Sequence, residues 1–249
     1  MIWRKERAIR LVVNFTCEPI INAMKGDAIF DRYANKYDEW FESEEGKVVK
    51  RLELALLEKF ILPKEGKTLC EVGIGTGLFA MEFRKKGMEV CGIDPSEEML
   101  KIAKERGFDV KKGSGENIPF EDNRFDVVLA MMSIEFSKDP KRFVKEMKRV
   151  AKPGGVVVVA ALNLLSLYGI ERRIRGLFEK NVFTDAHFYT YWELKNLLQD
   201  ELKNTEVSSS VFIPPNASET VLAFADALER FGQRWLKPFG ALLVGKGVK

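Results

Sequence analysis

Short apolar runs alternate with stretches of helical periodicity from residue 47 to residue 162, and few folds accept that order. Lys47 to Phe60 carries Val48, Leu52, Leu56, Leu57 and Phe60 at helical spacing, and Pro63 stops the pattern. Thr68–Val72, Glu89–Ile93, Phe108–Lys112, Phe125–Ala130 and Val156–Leu162 read as strands. Between them, Leu78–Lys86, Ser96–Arg106 and Pro140–Ala151 read as helices. Gly87 and Gly107 stand where C-terminal glycines stand, Ser96 can cap its helix, and Pro153-Gly154-Gly155 reads as a turn. Strand–helix repeats of this length build a parallel sheet with helices on both faces. Val156–Val159, four valines in a row, suit a central strand covered on both sides. Beyond residue 163 the text changes. Leu164–Lys180 is amphipathic and basic, Tyr191–Leu198 is helical, and Val207–Ile213 and Ala241–Gly245 are strands around a helix at Ser218–Leu236.

Composition sets the limits. Apolar residues make up 46% and charged ones 31%, enough core material to exclude a disordered or fibrous chain. The balance of 40 Lys+Arg against 37 Asp+Glu leaves a net charge of +3, so no electrostatic footprint demands a nucleic acid. Cys17, Cys70 and Cys91 do not make a disulfide framework, which points to a reducing cytoplasm. No apolar run is long enough to cross a bilayer. The basic start Met1–Lys5 and the apolar Leu11–Val13 are interrupted by Asn14, Glu18 and Pro19 before a signal core forms.

The chemistry concentrates in Glu71-Val72-Gly73-Ile74-Gly75-Thr76-Gly77, set directly between a strand and a helix. Glycines there permit a tight turn and close approach of a ligand to the backbone. Their spacing is not the Gly-x-Gly-x-x-Gly of a nicotinamide site. Glu71 would repel a pyrophosphate and attract a cation. Asp94, 21 residues after Gly73 at the end of the next strand, stands where an acid reaches the two hydroxyls of a ribose. Together they call for a nucleoside that carries no phosphate but a positive charge, and S-adenosylmethionine answers that description. The alternative is a surface carboxylate beside an ordinary turn.

On these residues the chain resembles a class I S-adenosylmethionine-dependent methyltransferase, of the group that includes the ubiquinone and menaquinone biosynthesis methyltransferases. Glu71–Gly77 resembles the family's first motif and Asp94-Pro95 the second. Gly113–Phe120 with Phe125–Val128 resembles the third motif and the fourth strand, and Lys152–Gly155 the turn before the fifth. The resemblance spans roughly residues 28–163. It implies an α/β, Rossmann-like, doubly wound and mostly parallel sheet of seven strands, the last antiparallel, with helices on both faces. One domain over 1–249 is expected, with residues 1–45 as an N-terminal cap and 163–190 as an insert on the substrate side.

The resemblance also implies roles. Glu71 would face the methionine end of S-adenosylmethionine. Gly73, Ile74, Gly75, Thr76 and Gly77 would pack on it by their backbone, Asp94 would hold the ribose, and Pro95 and Met99 would flank the adenine. Ser114 stands where relatives carry an adenine-binding Asp, beside Gly115, with Glu116 to compensate. Met131 would line the sulfonium. Tyr37, in an aromatic stretch with Tyr33, Trp40 and Phe41, would contact the methionine end, or else pack an N-terminal helix on the core. Relatives often carry a His shortly after the fourth strand, where this chain has Met131–Phe136. His187, the only histidine, is the candidate base; a structural or surface histidine is the alternative. Arg172, Arg173, Arg175 and Lys180 would bind an anionic substrate or a membrane, or form a solvated helix face, which is the favoured reading. Methyl transfer needs no metal, and no metal-ligand cluster is evident. The expected acceptor is a small molecule, on a monomer or homodimer. The alternatives are an RNA or protein acceptor, a non-catalytic S-adenosylmethionine-binding protein, or a nucleotide-dependent oxidoreductase.

Overall fold

The computed structural model describes residues 30, 31, 34, 37–176 and 186–249. Tyr33, the Arg175 side chain, Lys180 and Cys17 lie outside the described residues. The strands are β1 (Thr68–Val72), β2 (Glu89–Asp94), β3 (Asp109–Lys112), β4 (Phe125–Met131), β5 (Ala151–Leu162), β6 (Lys203–Ser210) and β7 (Leu242–Val248). They form one sheet in the order β3-β2-β1-β4-β5-β7-β6. All neighbours pair in parallel except β7, which is antiparallel to both β5 and β6. The helices are α1 (Glu44–Ile61), α2 (Ala80–Lys85), α3 (Glu97–Glu105), α4 (Pro140–Val150), α5 (Leu167–Gly176), α6 (Tyr191–Gln199), α7 (Glu219–Ala223) and α8 (Ala225–Trp235).

Alternation along the strands divides the core between the two faces. Val128 and Ala130 of β4 and Val157, Val159 and Ala161 of β5 pack with Phe143 and Met147 of α4 and Leu194 and Leu198 of α6. Val127, Leu129 and Met131, with Val158 and Ala160, pack on the other face with Leu56, Leu57 and Phe60 of α1 and Phe83 of α2. The run of valines therefore lies inside a covered sheet, as its lack of polar alternation requires.

Three elements depart from the sequence reading in kind as well as in their ends. Pro153-Gly154-Gly155 is not a separate turn. It lies inside the twelve-residue β5, where the register against β4 shifts between Phe125 and Val127 and Gly154 takes φ +76°. The sixth strand runs Lys203–Ser210 rather than 207–213. Val211 takes φ +67° and turns the chain out of the sheet, while Val211 and Ile213 bury in a separate cluster with Val49, Leu52 and Tyr168. Their apolar text belongs to that cluster, and the polar Lys203–Ser210 serves as the edge strand. The helix expected over Ser218–Leu236 is two helices, α7 and α8, divided at Phe224. Among the described residues no helix is long and apolar enough to cross a membrane.

Candidate functional site

The sheet order reverses between β1 and β4, and the loops after β1, β2 and β4 meet there, at the carboxyl ends of the strands. The Gly73 and Ile74 N–H groups both donate to the Ile93 carbonyl, at 2.8 and 2.9 Å, which ties the glycine loop to the end of β2. Gly73, Gly75 and Gly77 have φ of +80°, +55° and +81°. A Cβ on Gly73 would fall 2.4 Å from the Ser133 Cβ, and one on Gly77 2.7 Å from the Phe108 ring. On Gly75 it would meet nothing nearer than the Met99 Sδ at 4.0 Å. The outer two glycines are thus required by the protein's own packing. Gly75 presents open backbone, as a ligand cradle needs. Ile74 is buried with Leu100 and Phe108, so its side chain serves the core.

Glu71 lies on β1 and is 2% exposed. Its Oε2 has no partner, and the nearby Ala80 N–H only partly favours the ionised form. Burial, and then the charge of Asp94, push its pKa up to about 8. A buried carboxylate oxygen left unpaired is costly unless a donor or cation arrives to meet it. Asp94 braces the glycine loop: its Oδ2 accepts the Gly75 N–H and its Oδ1 the Ser96 N–H, each at 2.9 Å. Burial raises Asp94 to about 6 against the pull of those two bonds. Its remaining lone pairs are free for ligand hydroxyls. Two buried carboxyls beside an open glycine backbone fit a phosphate-free nucleoside cation, whose charge would favour their ionised forms, and offer a diphosphate no counter-charge. Half-buried Pro95 and buried Met99 flank the same loop.

Tyr37 is fixed by a latch that the sequence did not reveal. Asp38 Oδ1 accepts the Thr76 hydroxyl at 2.8 Å, and Oδ2 pairs with Arg106, whose guanidinium also donates to the Thr76 carbonyl at 3.0 Å. Asp31 accepts the Ser96 hydroxyl. Asp38 and Asp31 are thereby tied to the loops after β1 and β2. Burial holds the Tyr37 phenol well above its ordinary range, and Glu53, Asp38, Glu71 and Asp94 add to this. The phenol therefore lies within electrostatic range of those carboxyls.

Other expected residues fall less simply. Gly115 is needed because a Cβ there would sit 1.9 Å from the Phe143 ring. The Glu116 carboxylate is held by one oxygen, Oε1. It accepts the Ser137 hydroxyl at 2.7 Å and the Lys138 N–H at 2.9 Å, holding the start of the segment before α4. Ser114 itself is half-buried in a turn closed by the Asn117 N–H at 3.1 Å. Met131 is buried with Phe41, Phe79 and Leu129. Met132 takes φ +49°, and its N–H donates to Ala160. Ser133 then returns a hydroxyl to the Val72 carbonyl at 2.6 Å, which locks the loop after β4 against the glycine loop.

The His187 side chain is 54% exposed, with Nε2 2.6 Å from Glu193 Oε1 and its ring edge against Tyr189. Its backbone N–H donates to the Glu135 carbonyl at 2.8 Å, which places it at the end of the sheet that carries the glycine loop. Glu135 was visible in the sequence as an acid inside the apolar run Ile134-Glu135-Phe136. It is 1% exposed; Oε1 accepts the Leu162 N–H at 2.6 Å and Oε2 has no partner.

Comparison with known proteins agrees with this geometry. Residues 70–159 match the family described as "Methyltransferase domain". An uncharacterised protein of Methanocaldococcus jannaschii is 36% identical over 188 residues, 74% of this chain and 85% of that one. The demethylmenaquinone methyltransferase of Corynebacterium kroppenstedtii is 32% identical over 136 residues, 52% of this chain and 59% of that enzyme. The crystal structure of an S-adenosylmethionine-dependent methyltransferase of Thermotoga maritima, 30% identical, covers 89% of this chain and 98% of its own, with a TM-score of 0.72. A relative matched over nearly its whole length, on a fold whose orphaned carboxylate and open glycine suit a cationic nucleoside, settles the family: this chain belongs to the S-adenosylmethionine-dependent methyltransferases, with S-adenosylmethionine as its methyl donor.

Proposed function

We propose that the chain methylates a small-molecule acceptor, and that Glu71 is the residue on which the donor's cationic end is held. The observation that carries the site is the unpartnered Glu71 Oε2, buried beside the open backbone of Gly75. Asp94 takes the ribose hydroxyls, Tyr37 closes over the methionine end, and Pro95, Met99 and Ser114 border the adenine. An aromatic face toward a sulfonium is favourable. The donor supplies an electrophilic methyl group. The protein orients it, excludes water and positions the acceptor. On a single domain, the described parts of the expected cap (1–45) and acceptor-side insert (163–190), residues 30, 31, 34, 37–45, 163–176 and 186–190, serve those roles; the rest of both segments lies outside the described residues. The near-balanced charge supports a small acceptor over RNA. So does the Thermotoga relative, which is described as a possible histamine N-methyltransferase. Two bases stand at the acceptor end: exposed His187 and buried Glu135.

Calorimetry tests the site. S-adenosylhomocysteine is expected to bind and a nicotinamide dinucleotide not to; the reverse order would overturn the reading. RNA binding with a steep salt dependence would move the acceptor to another class. The latch makes a separate prediction. Asp38→Ala is expected to weaken S-adenosylhomocysteine binding by about tenfold, because Thr76 and Arg106 lose their common partner and Tyr37 its anchor. Unchanged affinity would show that the segment does not close the site.

A further inference from the structure

Glu135 is a buried acid that donor binding leaves unused. It follows β4 in the 3₁₀ turn Ile134–Phe136, and the Leu162 N–H at the end of β5 satisfies only Oε1. The Leu162 carbonyl in turn accepts the Tyr189 N–H at 2.9 Å, so Tyr189 lies alongside. The Tyr189 hydroxyl is likewise buried without a partner. Among the described residues, several elements contribute a titratable or charged group here. The segment before α6 brings Tyr189 and His187, α6 brings Glu193, and α5 brings Arg172, whose charge acts on both Glu135 and Glu53. Glu53, from α1, also has a buried Oε2 without a partner, and it faces Glu229 on α8. Among the described residues, one guanidinium thus stands among several carboxylates, two of them with an oxygen unmet.

We propose that Glu135 is a catalytic residue and that the acceptor is an amine, whose protonated nitrogen docks on Glu135 Oε2 beside the Tyr189 hydroxyl. The assignment rests on the methyltransferase reading above and adds the acceptor's class to it. A carboxylate acceptor would meet unpartnered carboxylates, and a phenol brings one donor. An ammonium brings three donors and the missing charge. The nitrogen gives one proton to Glu135 and so frees its lone pair. That pair forms the new nitrogen–methyl bond as the carbon–sulfur bond breaks and its electrons return to sulfur. A methylammonium product leaves, and Glu135 releases its proton to solvent. Burial pushes the Glu135 pKa up to about 7, against the pull of the Leu162 N–H and Arg172, so its basic form is gained as pH rises through that value.

The test uses the full chain with S-adenosylmethionine and four probes, benzylamine, n-butylamine, phenol and benzoate, with products read by mass spectrometry and rates read from pH 5 to 9. Calorimetry measures benzylamine binding to the S-adenosylhomocysteine complex. The amines are expected to be methylated, with kcat/KM rising to a plateau above about pH 7. Glu135→Gln keeps an acceptor for the Leu162 N–H. It is expected to retain S-adenosylhomocysteine binding while the amine kcat/KM falls about a hundredfold and the acid limb disappears. Methylation of phenol or benzoate in preference to the amines overturns the proposal. So does an acid limb that survives Glu135→Gln, or one that follows His187→Ala instead. A wild-type protein that binds S-adenosylhomocysteine but neither binds nor methylates an amine removes this proposal alone. One that binds no S-adenosylhomocysteine removes the site reading beneath it as well.

Discussion

Glu71→Gln is expected to make the ligand-free protein more stable at pH 8 and nearly to abolish donor binding. The carboxyl binds its proton more tightly in the fold, at about 8, than at its ordinary 4.5. The stability held by the protonated form is therefore complete below about pH 4.5 and is lost as pH rises through the folded value. Taken whole, that shift amounts to roughly 5 kcal/mol as a ceiling. Glutamine avoids the cost and leaves an amide N–H₂ unmet at about 1–3 kcal/mol. The net gain at pH 8 is about 2 kcal/mol, or roughly 5 °C in Tm for a chain of this size. At pH 5, where Glu71 is mostly protonated in the fold, that gain should vanish and the variant should melt no higher than the parent, because the unmet amide remains. Removing one partner of a buried charge pair costs about 3 kcal/mol or more, so S-adenosylmethionine should bind over ~100-fold more weakly. Thermal melts at both pH values and a titration with S-adenosylmethionine check both halves. A variant that is less stable at pH 8, or that binds normally, would place the donor's charge elsewhere.

Such a trade is expected where a chain stores an unmet charge for its ligand. Glu53, at about 8, and Glu135, at about 7, are raised by burial in the same direction. The ligand-free protein should therefore lose stability from pH 5 to pH 8 on their account too, and recover it when cations fill the cleft. Carboxyls held low act in a different window. At Asp126 burial is outweighed by Lys152, Lys67 and the Thr68 bonds, and its contribution is lost only in strong acid.

What the sequence made legible follows from the range of each interaction. The β1–loop–α2 unit, Asp94 and the parallel sheet are written in local text: apolar periodicity, glycines and a fixed offset. Asp38, Ser133 and Glu135 were not read as site residues, because their partners lie far along the chain. Asp38 meets Thr76 across 38 positions, Ser133 meets Val72 across 61 and Glu135 meets Leu162 across 27. Glu116 shows the same limit. The sequence places an acid beside Ser114, but only the position of Ser137 and Lys138 decides where its carboxylate points. Val211–Ile213 reads as a strand from its composition, yet a buried cluster outside the sheet claims it. Local propensity there yields to tertiary packing.

Asp94→Ala is expected to weaken S-adenosylhomocysteine binding by more than ~100-fold, and to do so twice over. A carboxylate that accepts two ribose hydroxyls contributes about 1.5–3 kcal/mol for each charge-assisted bond. The same carboxylate holds the Gly75 and Ser96 N–H groups, so the alanine variant also loosens the one glycine of the Gly73–Gly77 loop whose face is open. Asp94→Asn separates the two effects. Its amide oxygen can keep one of these N–H groups, its NH₂ cannot accept the other, and the negative charge is gone. It should lose less affinity than alanine and leave the fold intact. The pH dependence supplies a third reading. With the Asp94 pKa at about 6, ligand affinity in the parent should fall as pH drops through 6, because the protonated acid can no longer accept at both oxygens. Between pH 8 and pH 5 the asparagine variant should lack that component, since it carries no proton to gain. A parent whose affinity for S-adenosylhomocysteine is flat across this range, or a variant that keeps the full slope, would show that Asp94 braces the glycine loop without touching the ribose.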